Sequence, residues 1–410
     1  MIDPVATLAD LVRRPSVNPM GRDVSGPEYL EGRVTDYLVQ RFTAAGIPWA
    51  RQQVAPGRDN VVARLEATVL DAPTILWDAH QDTVPAEGMT IDPFAPLVRD
   101  GRMYGRGACD VKGGMAAMLV AIDRLLESAG PRLATVVFSA SVNEEFGFSG
   151  IKAVSRLWTT PPAEAPPSDN AARELVGGRP AAAIVAEPTG LDIVTAHKGA
   201  VRWRIRVHGR SCHGAFPDQG ENAIHHAGRV ILAIESLARE LLARQPDHPC
   251  GPPTLNLGTI HGGMGVNLVP DLVVLEIERR VLPGESPVDA RDEVIRRIAA
   301  ATAGARVEHD PPFLESPGLS ADTDRAEDGC TRLVDWLTAA ARARRVTPRR
   351  IAARYGTNAS TLAAAGVPSV VFGPGSIAQA HTSDEWIELE QVAVAADILA
   401  GLVASPHPKR

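Results

Sequence analysis

The sequence predicts an α/β protein with a mixed, parallel-rich sheet and a second, smaller domain inserted into the first. Apolar strands alternate with helices over the first 198 residues, and polar residues collect where those strands end. Near residue 199 the pattern changes to strands with one polar face, in the order strand–helix–strand–strand–helix–strand. We therefore expect one discontinuous domain, residues 1–198 and 312–410, around a ferredoxin-like (βαββαβ) domain, residues 199–311.

Length and composition fit that division and narrow the function. A chain of 410 residues exceeds the usual size of a single core. The net charge of −7 argues against a nucleic-acid partner, and the absence of a long apolar run argues against a membrane span. Four widely spaced cysteines without a C-x-x-C motif indicate a reducing compartment and exclude a thiolate zinc site. With no secretory signal pattern at the start, we expect a cytoplasmic protein.

In the first domain, helices are predicted where apolar residues recur every three to four positions, and strands where short apolar runs end in turn residues. Residues 159–180, rich in Pro, Ala and charge, are predicted to be a surface insertion. The predicted helices are Pro4–Arg13, Pro27–Ala45, Met115–Ser128, Ser149–Leu157, Asp328–Ala343, Asn358–Ala365 and Glu388–Leu402. The predicted strands are Asn60–Leu65, Thr74–Ala79, Leu133–Ser141, Ala181–Ala186, Arg349–Ala353 and Pro368–Phe372.

The inserted domain opens with strict alternation. Val201, Trp203, Ile205 and Val207 alternate with basic residues, which predicts a strand with one buried and one wet face. The elements predicted after it are helix Glu221–Arg244, strands Thr254–Ile260 and Leu272–Val281, helix Pro287–Ala303 and strand Ala305–Asp310.

The stretch from Ile75 to Pro85 carries the first chemical signal. An apolar strand ends in His80, a spacer and Asp82, and Pro85 prevents the strand from continuing. Because residues i and i+2 of an extended chain point the same way, the pair can be a metal ligand and its supporting carboxylate. A pair of this kind is by itself more often a turn, so further ligands are needed.

Further acidic and imidazole groups follow strands or Gly-rich loops in the same way. Two histidines and several carboxylates without a thiolate form the ligand set of a hydrolytic site for zinc or a similar divalent ion. Taken singly, each also has a structural explanation, as a turn former, an exposed pair, a strand exit or a loop residue. The groups are His80, Asp110, Glu144–Glu145, Glu187 and His381.

The number of ligands suits two ions. A bridging carboxylate holds two ions about 3.5–4 Å apart, and each ion then needs one His and one further carboxylate. We expect Asp110 to bridge, and adjacent residues in a turn point apart, which leaves Glu144 free to face water as the general base. The expected ligands are His80 with Glu187 on one ion and Glu145 with His381 on the other, with Asp82 behind His80.

These motifs, in this order, resemble the M20 metallopeptidase/deacylase family, and residues 355–386 most resemble its acetylornithine deacetylase-like members. The resemblance implies a dinuclear catalytic domain with two divalent ions, zinc or cobalt, and an inserted lid domain through which the protein forms a homodimer. The motifs are His80-x-Asp82-Thr-Val-Pro, Gly105-Arg-Gly-x-x-Asp110-x-Lys-Gly-Gly, Glu144-Glu145-x-Gly, Glu187-Pro-Thr and Gly373-Pro-Gly…His381-Thr-x-x-Glu385.

The same resemblance implies residues that handle the substrate. His213, in the motif HGRSCHGAFP, is expected to reach a partner subunit's active site and polarise the scissile carbonyl. Asn267 and Arg280 match positions that hold the substrate, and the loop of Gly373 and Gly375 resembles a backbone cradle for its carboxylate. As plain structure, His213 would be a turn residue, Asn267 a turn cap and Arg280 a strand-end charge.

One position departs from the family pattern. Asn358 stands where many members have Asp near the substrate. A neutral amide cannot pair with an ammonium as a carboxylate does, so recognition of the amine side of the substrate is altered.

The expected reaction is removal of the acyl group from an N-acyl amino acid, with N-acetyl-L-ornithine first, a step of arginine biosynthesis. Glu144 takes the proton of the attacking water and passes it to the leaving amine. An aminoacylase, an N-succinyl-amino-acid desuccinylase or a small-peptide carboxypeptidase fits the same residues. A non-catalytic metal or amino-acid binding protein is the alternative of another class, although Glu144 is present. The sequence contains no G-x-S-x-G motif, which argues against a serine hydrolase.

Overall fold

The computed structural model describes residues 3–245, 247–302, 304–320 and 327–405. The chain divides into two compact units. The large unit comprises Met1–Thr195, Ala321–Ile351 and Thr357–Arg410, and the small unit comprises Ala196–Ser320 and Ala352–Gly356. Across the described residues, none of the helices has the length and apolar character that crossing a membrane requires.

The helices and strands are numbered in chain order. The helices are α1 Pro4–Val12, α2 Gly32–Ala44, α3 Gly113–Glu127, α4 Ser149–Thr159, α5 Asn170–Val176, α6 Ala223–Leu242, α7 Pro287–Ala301, α8 Glu327–Ala343, α9 Asn358–Ala364 and α10 Leu389–Ala404. The strands are β1 Trp49–Ala55, β2 Arg58–Leu65, β3 Thr74–His80, β4 Leu97–Arg99, β5 Arg102–Tyr104, β6 Thr135–Ser141, β7 Ala182–Val185, β8 Ile193–His197, β9 Gly199–His208, β10 Thr254–Gly262, β11 Leu272–Val281, β12 Val307–His309, β13 Leu314–Ser316, β14 Arg350–Ala353, β15 Ser369–Val371 and β16 Trp386–Glu388.

The large unit is built on an eight-stranded mixed sheet in the order β1-β2-β6-β3-β7-β15-β8-β14. Its centre is parallel, since β3 pairs in parallel with β6 and β7, and β7 with β15. β1, β2 and β6 pair antiparallel at one side. This confirms the predicted α/β class with a parallel-rich sheet.

The central strands are apolar because both of their faces are covered. Ile75, Leu76 and Trp77 of β3 are fully buried, as is the middle of α3. In this parallel register His80 lies beside Ser141, and Asp78 lies beside Val185. The carboxyl ends of β3, β6 and β7 therefore meet at one edge, where open α/β sheets bind ligands.

The small unit has the predicted ferredoxin-like order. Its elements follow one another as β9, α6, β10, β11, α7 and β12. The strands form an antiparallel sheet in the order β10-β11-β9-β12, with β13 added beside β9. The apolar residues of β9 pack with α6 and α7. On the other face Arg202 pairs with Glu278 at 2.5 Å and Arg204 with Glu276 at 2.7 Å. The alternating residues of β9 thus point in turn into an apolar core and onto a charged face.

Several predicted elements differ from the structure. The second helix begins at Gly32, not at Pro27, because the main chain of residues 28–30 pairs with Val17. β1 and β8 were not predicted, since each is followed closely by a longer strand. The predicted surface insertion contains α5, whose Ala172 and Val176 are buried. Ala303, the predicted end of a helix, lies outside the described residues.

Candidate metal centre and active site

The candidate site lies at the carboxyl edge of the parallel strands in the large unit. His80 is the last residue of β3, and Glu187 follows β7 by two residues. Glu144 and Glu145 follow β6, whereas Asp110 lies in a wide helical turn, Ala108–Lys112, just before α3. The structure thus brings residues that lie far apart in sequence to one edge of the sheet.

A first group of three ligand candidates, here called the buried cluster, consists of His80, Asp110 and Glu187. His80 Nε2 is 3.1 Å from Asp110 Oδ1 and 4.0 Å from Glu187 Oε1. All three residues are buried, and one ligand atom from each lies within 4.8 Å of the others.

A second group, here called the outer cluster, consists of Asp110, Glu145 and His381. His381 Nε2 is 3.3 Å from Asp110 Oδ2 and 3.3 Å from Glu145 Oε2. The His381 side chain is 53% exposed, whereas that of His80 is 1% exposed. Asp110 belongs to both groups, with Oδ1 facing His80 and Oδ2 facing His381, and its role as a bridging ligand stays a prediction.

Crowding of buried carboxylates dominates the electrostatics. Burial, and then the neighbouring charges of Asp110 and Glu144, raise the pKa of Glu187 well above its ordinary value. Burial, followed by the charge of Glu145, raises the pKa of Glu144 to about 8, despite the opposing effect of His80. A divalent cation would relieve this repulsion, because an opposite charge favours the ionised form.

The imidazoles partly offset the crowding. Burial raises the pKa of Asp110, but the hydrogen bonds and charges of His381 and His80 together lower it below its ordinary value. In return, hydrogen bonds to Asp110 and Glu145 raise the pKa of His381 to about 11. For His80, burial lowers the pKa, but Asp110, Glu144 and Glu187 together raise it well above the ordinary value.

The donor set fits divalent metal ions. Nitrogen and carboxylate oxygen donors without thiolates are the ligands of hydrolytic zinc and related ions. His80, Asp110 and Glu187 would hold one ion, and Asp110, Glu145 and His381 the other. Glu144 belongs to neither group, is 8% exposed, and interacts electrostatically with His80, Glu145 and Asp110.

Asp82 supports the site in a different way from the one predicted. The Nδ1 of His80 is 2.9 Å from the main-chain carbonyl oxygen of Asp82, but 3.8 Å from its carboxylate. Because a carbonyl oxygen only accepts, Nδ1 carries the proton and Nε2 faces Asp110. The carboxylate instead accepts the main-chain N–H groups of Glu144 and Glu145, each at 3.1 Å.

Sequence reasoning missed the residues around Asn143, which precedes the two glutamates. Asn143 has a left-handed backbone (φ 61°). Its side-chain oxygen accepts from Asn18 and Arg58, each at 3.0 Å, and its N–H donates to Glu31 at 3.2 Å. A left-handed backbone at Asn143 could have been expected, because Asn adopts this conformation more readily than most residues. Nothing in the sequence indicates residues 18, 31 and 58 as its partners.

Asn358 lies in a buried polar network beneath the end of β3. Its Nδ2 donates to Asp78 Oδ2 at 2.9 Å and to Ser141 Oγ at 3.0 Å. Burial, the largest effect, raises the pKa of Asp78 to about 6. The structure therefore places Asn358 against Asp78, two residues before His80, and its predicted contact with substrate stays a prediction.

The glycine loop packs against the ligand-bearing segments. A Cβ on Gly373 would come within 2.6 Å of the Glu187 carbonyl oxygen, and one on Gly375 within 2.7 Å of Cys109 Sγ. The N–H of Gly373 donates to Thr189 and that of Gly375 to Gln391. These glycines thus allow close approach of the loop, and the carboxylate cradle stays a prediction.

The remaining predicted residues lie in the small unit. The loops of His213 and Asn267 are adjacent, because the Gly214 N–H donates to the Asn267 carbonyl oxygen at 2.8 Å. Both residues are exposed, and His213 Nδ1 accepts from the Ala215 N–H at 3.0 Å. Arg280, at the end of β11, pairs with Glu278 at 2.6 Å.

Comparison with known proteins covers most of the chain. Residues 76–405 match the model of peptidase family M20/M25/M40. The chain is 32% identical over 379 residues to an acetylornithine deacetylase of Myxococcus xanthus, with 90% of each chain covered. It is 30% identical over 376 residues to an acetylornithine deacetylase of Vibrio atlanticus, again with 90% of each covered.

Solved structures agree at the level of fold. An M20 family metallo-carboxypeptidase from Sulfolobus solfataricus superposes with a TM-score of 0.74 at 16% identity, covering 98% of this chain and 99% of that one. A dinuclear metal binding peptidase of the M20 family from Bacillus subtilis gives a TM-score of 0.64 at 17% identity, covering 98% and 96%. The chain therefore belongs to peptidase family M20/M25/M40 and is a metal-dependent amide hydrolase.

Proposed function

We propose that the protein removes the acyl group from an N-acyl amino acid, with N-acetyl-L-ornithine as the preferred substrate. The observation that carries this proposal is the pair of clusters that share Asp110, with Glu144 beside them and outside both. The deacetylase names of the relatives at 30–32% identity supply the choice of substrate. An acetylornithine deacetylase would act in arginine biosynthesis.

Glu144 acts as the general base in this proposal. Bound divalent ions supply the Lewis acidity that lowers the pKa of water and polarises an amide carbonyl. In the metal-free site, burial raises the pKa of Glu144 to about 8, and a carboxylate with a raised pKa is a stronger base than an exposed one. Glu144 takes a proton from water and returns it to the leaving amine. The Asp82 carboxylate holds the Glu144 main chain while this happens.

Substrate recognition is assigned to the small unit and the glycine loop. We propose that His213 reaches the active site of a partner subunit and polarises the scissile carbonyl there, that Asn267 and Arg280 hold the substrate, and that Gly373 and Gly375 lie against its carboxylate. Arg280 suits this role because its guanidinium matches a carboxylate in geometry and charge.

Zinc is the proposed metal, with cobalt as the substitute, because both accept imidazole and carboxylate ligands. Exchange of the metal in the purified protein, followed by turnover measurements, would rank the two ions.

We further propose a cytoplasmic homodimer that associates through the small unit as a lid and dimerisation domain. The four cysteines are free, which suits a reducing compartment. Large apolar side chains are exposed on the small unit, and such residues commonly mark a protein–protein contact. They include Phe216, Ile224, Leu232, Ile260, Met264 and Val266. Light scattering on the purified chain would measure the mass, and a monomer would contradict the proposal.

A panel of N-acyl amino acids, assayed with and without a chelator, tests the function. We expect chelator-sensitive release of acetate from N-acetyl-L-ornithine above all other compounds. Faster turnover of N-succinyl compounds, long-chain acyl amino acids or dipeptides would instead indicate a desuccinylase, an aminoacylase or a carboxypeptidase. Binding of metal without turnover of any compound would indicate a non-catalytic binding protein.

A further inference from the structure

Glu385 is a buried carboxylate outside both clusters, and its partners are its most informative feature. Its side chain is fully buried, and within the described residues its ion-pair partner is Arg106, at 2.8 Å. Buried carboxylates require compensating hydrogen bonds, so the identity of the other donors shows what this residue holds.

The donors to Glu385 are main-chain groups of the turn that carries the shared ligand. One carboxylate oxygen accepts the N–H groups of Asp110 at 3.0 Å and Cys109 at 2.8 Å. The other accepts the N–H of Gly107 at 2.9 Å together with Arg106. Charge-assisted hydrogen bonds of this kind restrict the orientation of their donors. Glu385 therefore holds the main chain of Asp110 itself.

Glu385 is also joined to the outer cluster through the chain. It follows His381 by four residues and directly precedes β16, whose Trp386 pairs with Tyr104 of β5. The main-chain oxygen of Glu385 accepts the Gly105 N–H at 3.0 Å. One end of the His381 segment is thus fastened to the Gly105–Asp110 loop by both main chain and side chain.

We propose that Glu385 is a positioning residue that fixes Asp110 and His381 relative to each other and thereby sets the affinity of the outer cluster for its metal ion. This inference rests on the proposed two-ion site. It predicts a selective effect, because the outer cluster takes two of its three ligands from the segments that Glu385 joins. The buried cluster takes His80 and Glu187 from strand ends that Glu385 does not touch.

The test is an isothermal calorimetric titration of Zn²⁺ into the full-length protein after a chelator has removed its metal ions. For Glu385→Gln we expect one ion to bind with near wild-type affinity and the other to bind about 10–100-fold more weakly, the usual effect of losing a residue that orients a ligand. The same ion should be lost in His381→Ala, which identifies the outer cluster. Glu385→Asp keeps the charge with a shorter reach and should give an intermediate loss.

Glu388→Gln is the matched control. Glu388, three residues further on, is the last residue of β16 and pairs with Arg102 at 2.9 Å, but both side chains of this ion pair are at least 36% exposed. Its removal should leave both affinities unchanged.

Wild-type affinity for both ions in Glu385→Gln and Glu385→Asp would overturn the inference, as would equal weakening of both ions. If Glu385→Gln does not fold, Glu385→Asp is judged by the same two criteria. A wild-type protein that binds fewer than two ions would contradict the proposed two-ion site, and so is distinguished from failure of the Glu385 inference alone.

Discussion

The buried cluster and the outer cluster share Asp110 but differ in how the chain supplies their other ligands. His80 ends a central strand and Glu187 follows another, so both are placed by a sheet with a fully buried core. His381 comes from a loop, has a left-handed backbone and is about half exposed. Ligands on rigid elements are held more precisely than ligands on loops. The two ions should therefore differ in affinity and in exchange rate.

The largest effect is expected from removing Asp110, the ligand that both clusters share. Asp110→Ala should abolish binding of both ions, because each cluster loses its common carboxylate. Turnover should fall to that of the chelator-treated wild type. Metal analysis and activity of the purified protein measure both effects. Retention of one tightly bound ion would show that Asp110 is not the bridge.

Removal of the general base should separate metal binding from chemistry. Glu144→Gln should reduce kcat by about 10²–10⁴-fold, the usual contribution of a positioned base. Because Glu144 lies outside both clusters, the metal content should stay at the wild-type value. Full activity of this variant would contradict the proposed mechanism.

Substitution of the two histidines sharpens the comparison directly. His80→Ala should weaken the buried ion and also lower the thermal stability, because it empties a buried position; His381→Ala should weaken the outer ion with little change in stability. When the wild type is mixed with a chelator, we expect the outer ion to be released in a fast phase and the buried ion in a slow one. His381→Ala should lack the fast phase. Equal release rates for both ions would remove the distinction between the clusters.

The pH dependence of metal binding gives a smaller effect. Hydrogen bonds to Asp110 and Glu145 raise the pKa of His381 to about 11, so its imidazole is protonated at neutral pH before metal binds. An imidazole must be neutral to bind a metal ion, so binding releases this proton, and affinity for the outer ion should rise about tenfold per pH unit below that pKa. Calorimetry in buffers of different ionisation enthalpy counts the released protons, and a pH-independent affinity would contradict this assignment.

The smallest effect concerns the support of the glutamate pair. Asp82→Asn leaves the main-chain carbonyl that accepts from His80 but replaces the charged acceptor of the Glu144 and Glu145 N–H groups. We expect a loss of about 10-fold in kcat/KM, at the low end for residues behind a metal site. If the affinity of the buried cluster for its ion falls by the same factor, we would infer that the Asp82 carboxylate supports the His80 imidazole.

Much of the site was predictable because its signals are local. His80, Glu144–Glu145 and Glu187 each follow an apolar run, and a parallel sheet brings such strand ends to one edge. The role of the Asp82 carboxylate was not predictable. Spacing alone places it on the same side as His80, whereas its actual donors, Asn18 and the Glu144–Glu145 main chain, come from distant parts of the chain.

The fold class, the alternation of the ferredoxin-like unit and the types of donor atom at the site could be predicted from the sequence, because these follow from periodicity and residue chemistry. Only the tertiary structure decided which oxygen faces which donor. It buried the side chains of His80 and Glu187, left His381 about half exposed, and joined Glu385 to the Asp110 turn across 275 residues of sequence. The physical reason is that a hydrogen bond depends on distances of a few tenths of an ångström, which are set by packing between segments remote in the chain.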